Sequence, residues 1–487
     1  MEVLIRHIVP GSHPLRKLLL AFGGLCIISI FAALLTEWYL LCVLPAVFLL
    51  VYWTILDYEK IFYLLLACLP LSTELYFSNG IGTDFPSEPL MIGLMGVYVL
   101  YVLRHAQRLD YAFLKHPISL LLLLHFGWIA ITTLTSSQPV ISIKFLLAKT
   151  WYVVTFYLLA GHLLKTKGNI RQFFAWVMIP LCFTIAVVLM RHASYGFSFE
   201  DVYKVLHPFY RNHVNYACII ALFFPFAWYA VYWYRHHPKV QYLLIAVIPF
   251  LLMATYLSYT RAAYVALLLC IGVYFIIRWR WMKYALATAS VAAVLGFAYL
   301  AQQNNYLDYA PDYERAITHT EFDDLLAATY QLEDISTMER VHRWVAASFM
   351  IVEKPVVGFG PGNFYHFYHG YTVSRFRTYV SDNPEQSSAH NYYLTVALEQ
   401  GILGLLLFLA LCFYALLKAE QLYHRSKSVE ERSYLLAITL SFFVILCVLL
   451  INDLIETDKV GAFFFLLLAM LTNWDLRLQR LETVTTT

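Results

Sequence analysis

Apolar runs of about 17–22 residues recur along the chain from residue 17 to residue 473, and each is long enough to cross a bilayer as a helix. Apolar residues make up 61% of the 487 residues and charged residues only 13%, which is far from the composition of an average soluble domain. The sequence therefore predicts an all-α polytopic membrane protein with about 12–14 transmembrane helices. One long, partly helical outer loop interrupts them.

The distribution of basic residues predicts the topology. The candidate spans are centred near residues 27, 47, 66, 96, 126, 154, 181, 224, 249, 270, 292, 405, 443 and 466, of which the third and fourth are short and could be re-entrant. With the N-terminus inside, every strongly basic short loop falls on the inner side, as the positive-inside rule requires. These loops carry Arg104, Arg108 and Lys115; Lys165, Lys167 and Arg171; Arg235 and Lys239; Arg278, Arg280 and Lys283; and Lys418, Arg425, Lys427 and Arg432. Both termini are therefore predicted to be cytoplasmic.

The outer loop at 302–390 divides the chain into a membrane domain at 1–301, the loop subdomain, and a membrane domain at 391–487 with the last three spans. The loop is too long for a simple connection, and it carries twelve Asp/Glu against six Lys/Arg. Its Ser336-Thr337-Met338-Glu339 segment is typical of a capping box. We expect an amphipathic helix to follow through Arg340 and to end before Pro355.

Several classes of function are disfavoured by the sequence. The glycine-rich segment at 358–363 predicts a turn, and it lacks the lysine and the strand–loop–helix context of a nucleotide-binding P-loop. The net charge of +3 is too small to suggest a nucleic-acid partner. All eight cysteines lie in apolar segments with no metal-ligand spacing. We therefore expect no metal and no cofactor.

Four residues at the outer ends of spans or on the loop could form a catalytic group: Arg211, Arg261, Arg340 and His390. Arginine can hold phosphate oxygens with two parallel hydrogen bonds, and imidazole is suited to accept a hydroxyl proton near neutral pH. Together they suggest transfer of a group from a phosphorylated lipid carrier to an alcohol. Each residue alone has a simpler interpretation, because interfacial arginines often anchor a helix and a histidine at a helix start can be a cap.

Glu399 lies about 13 Å along the predicted helix from His390. An ionisable residue at that depth needs a partner, and a structural ion pair is the favoured interpretation. Lys149, Asp453, Glu456 and Asp458 could supply such partners or line the site.

Four segments resemble the O-antigen ligase and polymerase superfamily of bacterial envelope glycosyltransferases, which are polytopic and GT-C-like. The segments are Tyr210-Arg211-Asn212-His213; Leu257-Ser258-Tyr259-Thr260-Arg261; Arg340-Val341-His342-Arg343-Trp344 with the turn from Pro355 to Phe364; and Ala389-His390-Asn391-Tyr392-Tyr393-Leu394 with Gly401 and Gly404. They fall in the order of the family, around its long outer loop.

The resemblance implies an inverting, metal-independent glycosyltransferase of the bacterial inner membrane with its active site facing the periplasm. Such enzymes move a glycan from undecaprenyl diphosphate to an acceptor hydroxyl, on lipid A-core for a ligase or on another lipid-linked repeat for a polymerase. By motif, His390 would activate the acceptor hydroxyl, and Arg211, Arg261 and Arg340 would hold the diphosphate. Asn391, Glu399 and His213 are candidate supporting residues.

Three functions remain open from the sequence. The motifs do not separate a ligase from a polymerase, although the single long outer loop favours a ligase. A transporter or flippase of polar lipids is the third alternative, and it would predict internal repeats with paired broken helices. The sequence has no convincing repeat.

Overall fold

The computed structural model describes residues 13–37, 41–42, 44–76, 82–105, 107, 110–310, 335–377, 381–383 and 386–486. In it the chain folds into a bundle of membrane helices, and the described part of the 302–390 loop packs against the bundle. Part of the predicted loop, 311–334, lies outside the described residues, as does Arg108 of the first inner loop. The described helices include eleven that are long and apolar enough to cross a membrane. The predicted all-α polytopic fold is confirmed.

The first half of the chain contains α1 to α9. Their bounds are α1 His13–Thr36, α2 Leu44–Leu56, α3 Tyr58–Cys68, α4 Ser87–Arg104, α5 Tyr111–Leu114, α6 Pro117–Leu134, α7 Pro139–Leu163, α8 Lys167–Ala193 and α9 Val202–Leu206. Strands β1 (Thr73–Tyr76) and β2 (Gly82–Phe85) form an antiparallel hairpin before α4. Helix α7 includes a π-helical segment at Val153–Leu159.

The second half contains α10 to α18. Their bounds are α10 His213–Trp233, α11 Pro238–Tyr256, α12 Arg261–Trp279, α13 Met282–Ala301, α14 Ile335–Glu353, α15 Phe364–Phe367, α16 Tyr392–Arg425, α17 Val429–Val448 and α18 Asp458–Thr486. Short 3-10 turns lie at Gln302–Tyr309, Tyr368–Tyr371, Ser374–Phe376 and Leu454–Glu456. Every predicted span centre falls inside one of these helices.

The lengths correct two details of the predicted spans. The third span, α3, has 11 residues and is short as expected, but the fourth, α4, has 18 residues and is long enough to cross. The second, α2, has only 13 residues. Asp57 separates α2 from α3, and its carboxylate accepts a hydrogen bond from the Lys60 N–H, so this polar cap divides the apolar run into two short helices.

The core of the bundle lies around α18, whose apolar segment is entirely buried, while the apolar segment of α13 has no buried residue. Helix α18 packs against α17, α10 and the π-helical segment of α7. A helix that is apolar on every face is stable only when surrounded by other apolar groups. In this chain α18 is surrounded by protein, and α13 lies at the periphery.

Residues from the predicted inner loops meet at one end of the bundle. Arg480 lies 3.1 Å from Asp110, and Lys165 lies 3.5 Å from the same carboxylate. Arg171 contacts Glu430 at 2.8 Å. Contacts among loops far apart in sequence place these basic segments on one side of the bundle, as the charge distribution predicted.

The predicted amphipathic helix of the outer loop is α14. It begins at Ile335, one residue before the expected cap Ser336, and it ends at Glu353. Ser336 therefore lies within the helix, and its hydroxyl accepts a 2.8 Å hydrogen bond from Arg340. One face buries Ala346, Ala347 and Met350 against the loop's own aromatic residues.

The glycine-rich turn after α14 inserts into a break in α16. Gly401 has φ 72° and ψ 177°, a conformation that only glycine adopts readily. The break leaves backbone groups that the turn satisfies, since Ile402 N–H donates to the Pro355 carbonyl at 2.8 Å. Phe359 N–H donates to the Leu398 carbonyl at 2.9 Å, and Gly360 N–H donates to the Glu399 carbonyl at 2.9 Å. The loop and the membrane helix thus share a hydrogen-bonded junction.

The substitution Gly401→Ala should destabilise the protein. A Cβ at position 401 would lie 1.9 Å from the Val356 carbonyl oxygen, and the backbone conformation alone costs about 1–3 kcal/mol for other residues. We expect a lower midpoint of thermal unfolding in detergent and faster proteolysis of the loop. Gly296→Ala is the matched control, because it lies in α13 with open space around it. Equal behaviour of the two variants would contradict the inserted turn.

Candidate active site

Two helix starts meet at the end of the bundle opposite the paired inner-loop residues. Helix α10 begins at His213, and Asn212 caps it by accepting a 2.8 Å hydrogen bond from the Asn215 N–H. Helix α12 begins at Arg261. The two starts are joined because the Thr260 hydroxyl donates to the His213 carbonyl at 3.2 Å. The sequence placed both residues at helix boundaries, and the structure makes them neighbours.

Helix α14 brings two further arginines, Arg340 and Arg343, to this end. Nη1 of Arg340 donates to the Ser336 hydroxyl at 2.8 Å and to the Ser336 carbonyl at 3.2 Å, which fixes the guanidinium on the helix. The positive charges of Arg340 and Arg261 both act on the His213 ring. Arg340 on the loop and Arg261 on the membrane domain therefore converge on one histidine.

His390 lies at the junction between the loop and α16. Its φ of 54° is in the left-handed region, which is uncommon for residues other than glycine. Nη1 of Arg343 donates to the Ser388 carbonyl at 3.3 Å, just before this residue. Arg343 is itself buried and lies 3.5 Å from the Glu339 carboxylate. A strained backbone that neighbouring groups hold in place is common at functional sites.

The His390 imidazole is held in its neutral form. Burial, followed by the positive charges of Arg340 and Arg343, lowers the pKa of His390 to about 3, because each disfavours the imidazolium. Its Nδ1 atom is buried and has no hydrogen-bond partner within the described residues. A neutral imidazole with a vacant nitrogen can accept a proton, and arginines beside it can hold an anion. The structure thus places a neutral imidazole beside two guanidinium groups.

Arg340 links the two histidines, since its charge acts on both His213 and His390. The structure therefore brings together four of the residues that the sequence singled out: His213, Arg261, Arg340 and His390. No contact joins Arg211 to them. Its side chain is exposed in the turn before α10 and makes no hydrogen bond or ion pair within the residues that the structure describes.

Asn391 and Asp453 support the chain at His390. Asn391 is the N-cap of α16, and its side chain accepts a 3.1 Å hydrogen bond from the Leu394 N–H. The Thr395 hydroxyl donates to Asp453 at 3.2 Å. Burial raises the pKa of the Asp453 carboxyl to about 6, although the Thr395 hydroxyl acts in the opposite direction. Asn391 therefore has a structural role at the start of the helix.

Glu399 does not form the expected ion pair within the described residues. Its carboxylate is buried and accepts hydrogen bonds from the N–H groups of Gly362 at 2.8 Å and Phe364 at 3.2 Å. Lys149, a proposed partner, instead lies 2.8 Å from both oxygens of Glu456. Backbone N–H groups can stabilise a buried carboxylate as a cation would, so Glu399 anchors the inserted turn.

Arg343 is the site residue that the sequence reasoning missed. It follows Arg340 by three positions on α14, so both side chains lie on one face of the helix. That spacing was available in the sequence. Its contact with the Ser388 carbonyl joins positions 45 residues apart, and no local pattern predicts it.

No group of three or more His, Cys, Asp or Glu side chains that could hold a metal ion occurs in the described parts of the chain. The glycine-rich turn at 358–363 does not have the surroundings of a nucleotide-binding P-loop. It follows helix α14 and enters the break in α16, whereas a P-loop follows a strand and opens a helix.

A family model described as O-antigen ligase matches residues 244–409. The resemblance to the O-antigen ligase superfamily is confirmed. The match covers about a third of the 487 residues, and it includes Arg261, Arg340, Arg343 and His390, whereas Arg211 and His213 precede it. A comparison with curated proteins finds no match. The O-antigen ligase match supports a glycosyltransferase-like enzyme in a multi-pass membrane protein.

His390 should stay neutral across the physiological pH range. Because its folded pKa is lowered from 6.5 to about 3, the imidazole should gain a proton only in strongly acidic solution, far below the pH at which an exposed histidine does. NMR titration of protein labelled with ¹⁵N-histidine measures this, with His390→Gln to assign the signal. A titration of His390 near pH 6.5 would contradict the buried, arginine-flanked site.

Proposed function

We propose that this protein transfers a glycan from undecaprenyl diphosphate to an acceptor hydroxyl at the periplasmic face of the bacterial inner membrane, as an O-antigen ligase does. The acceptor is lipid A-core or a similar glycan. The convergence of Arg340 and Arg343 on a neutral His390, with Arg261 and Arg340 both acting on His213, carries the proposal, because a diphosphate leaving group needs cations and an alcohol needs a base. The family match over the same residues supports it.

The arginines would hold the donor. A lipid diphosphate enters with its headgroup above the bilayer and its prenyl chain in the lipid, so its phosphates lie at the ends of membrane helices. Arg261 begins a membrane helix and Arg340 lies on the loop above it, and together they can contact the diphosphate from two sides. Arg211 is exposed nearby and would contact the headgroup once the donor is bound. Guanidinium groups would stabilise the negative charge that develops on the leaving diphosphate.

His390 would act as the general base. The acceptor hydroxyl oxygen attacks the anomeric carbon, the bond from that carbon to the diphosphate oxygen breaks, and the hydroxyl proton passes to an imidazole nitrogen of His390. A single displacement inverts the anomeric configuration. Undecaprenyl diphosphate leaves with the electron pair, and the proton is released to water afterwards. In this proposal none of the steps uses a metal or a cofactor.

Donor binding should make His390 a stronger base. Arg340 and Arg343 contribute to its low pKa, and a bound diphosphate would neutralise their charge and add negative charge of its own. The base would then be activated only when the donor is in place.

The substitution His390→Ala should lower glycan transfer by about 10²–10⁴-fold, which is the usual contribution of a general base. Purified protein in nanodiscs, a lipid-linked glycan donor and a rough lipopolysaccharide acceptor provide the assay. His366→Ala is the matched control, because His366 is exposed on the same loop. Near-normal transfer by His390→Ala protein that remains folded would refute the base assignment.

Lysine should not replace the donor-binding arginines. A point charge does not reproduce the two parallel hydrogen bonds of a guanidinium, so Arg261→Lys and Arg211→Lys should each reduce transfer by about 10–100-fold. Arg375→Lys, at an exposed position of the loop, should leave transfer unchanged. Full activity of Arg211→Lys alone would remove Arg211 from the site and leave Arg261 and Arg340 in it.

A diphosphate ligand should raise the pKa of His390 from about 3 toward the ordinary value of about 6.5. The ¹⁵N-histidine titration can be repeated with a short-chain prenyl diphosphate, and the prenyl alcohol of equal length is the control. An unchanged His390 titration with saturating diphosphate would contradict the proposed proximity of the phosphates and the imidazole.

A deletion strain separates a ligase from a polymerase. For a ligase, lipid A should lack all long glycans while polymer accumulates on undecaprenyl diphosphate. For a polymerase, lipid A should carry single repeats. The second pattern would assign the same chemistry to a lipid-linked acceptor.

A further inference from the structure

A positively charged groove lies at the end of the bundle opposite His390. It has a volume of about 600 Å³ and runs between the turn that joins α12 to α13 and the last turns of α16. Arg280 and Lys283 line one side, and Lys418 and Arg425 line the other, with Glu420 as the one carboxylate among the lining residues. The function proposed above uses none of these side chains.

The positive charge in this groove is only partly held in close ion pairs. Lys418 lies 2.7 Å from Asp475, and Arg425 contacts both Asp475 at 3.2 Å and Glu482 at 2.6 Å. Arg280 and Lys283 have no carboxylate within ion-pair distance among the residues that the structure describes, and the charge of Glu420 acts on them from further away. The Glu420 carboxylate itself accepts a 3.0 Å hydrogen bond from the Met282 N–H. The α12–α13 side of the groove therefore presents two cations that a ligand can contact.

A second groove at the same end of the bundle differs in this respect. Its volume is about 610 Å³, and it contains Lys165, Lys167, Arg477 and Arg480. Each of these four cations lies within 3.1–3.7 Å of a carboxylate of Asp110, Glu430 or Glu431. Basic residues are therefore common at this end of the bundle, and the first groove differs because Arg280 and Lys283 have no close ion pair with a described residue.

Aromatic residues place the first groove at the depth of lipid headgroups. Trp279, Trp281 and Tyr284 surround the α12–α13 turn with exposed side chains, and such residues concentrate at the interface between bilayer and water. Tyr414 and Leu417 continue the groove along α16 toward the apolar part of the bundle. The neighbouring α13 leaves its apolar segment unburied. A ligand there would have an anionic head and an apolar chain.

We propose that this groove binds the phosphate headgroup of an anionic phospholipid, with Arg280 and Lys283 as its main contacts and the acyl chains along α13 and α16. Arginine can hold two phosphate oxygens at once, and lysine adds a point charge. The apolar continuation favours a lipid over a soluble anion. The lipid would fasten the α12–α13 turn to α16. The opposite end of α12 carries Arg261, and the opposite end of α16 adjoins His390.

Native mass spectrometry of the full-length protein released from nanodiscs can test this proposal. We expect phosphatidylglycerol to be retained over phosphatidylcholine, and Arg280→Gln/Lys283→Gln to weaken phosphatidylglycerol binding by about tenfold or more. Lys165→Gln/Lys167→Gln is the matched control with the same change of net charge, and it should keep most of the binding. Circular dichroism checks that both variants are folded.

Three results would overturn the proposal. Equal loss of lipid in both double variants would indicate a general effect of net charge. Equal retention of phosphatidylglycerol and phosphatidylcholine would exclude a site for an anionic headgroup. If millimolar inorganic phosphate displaced the lipid, and the protein bound inorganic phosphate as tightly as phosphatidylglycerol, the groove would be a site for soluble phosphate. Glycan transfer is measured separately, so failure here leaves the roles of His390 and Arg261 untouched.

Discussion

The junction between the glycine-rich turn and the break in α16 holds the candidate site together. A helix interrupted inside the bilayer leaves backbone groups that water cannot reach, and each must find a partner in the protein. The turn supplies these hydrogen-bond partners, and the Glu399 carboxylate accepts hydrogen bonds from two N–H groups at the end of the turn. Gly358 approaches so closely that a Cβ would lie 2.4 Å from the Glu399 backbone. Since α14 ends just before this turn, the position of Arg340 and Arg343 depends on the same junction.

The two ends of the bundle surround their basic residues differently. At one end, Asp475 is shared by Lys418, Arg425 and His116. At the other end, the charges of Arg340 and Arg343 act on the buried, neutral His390, and Arg343 also lies 3.5 Å from the Glu339 carboxylate. The proposed transfer reaction rests on this combination of guanidinium groups and a neutral imidazole.

Some residues of the candidate site could be predicted from the order of the membrane spans, and others could be identified only from tertiary contacts. His213, Arg261 and His390 begin helices or precede one, so the number of spans between them fixed the end at which they lie. Arg340 followed from the amphipathic pattern of α14. Arg211 also lies at that end, but its exposed side chain makes no contact with the others, and the sequence pattern could not predict which side chains of the turn would be buried. Only the contact with the Ser388 carbonyl identified Arg343.

By itself, the sequence determined the membrane helices, the end at which each polar residue lies and the family resemblance. Long apolar runs have one stable form in a bilayer, and basic loops remain on one side of it. Tertiary structure alone decided that α16 breaks at Gly401 and that Glu399 anchors a turn instead of pairing with a cation. These features depend on hydrogen bonds between residues such as Gly362 and Glu399, 37 positions apart. Local periodicity contains no information on which distant backbone group will fill a break.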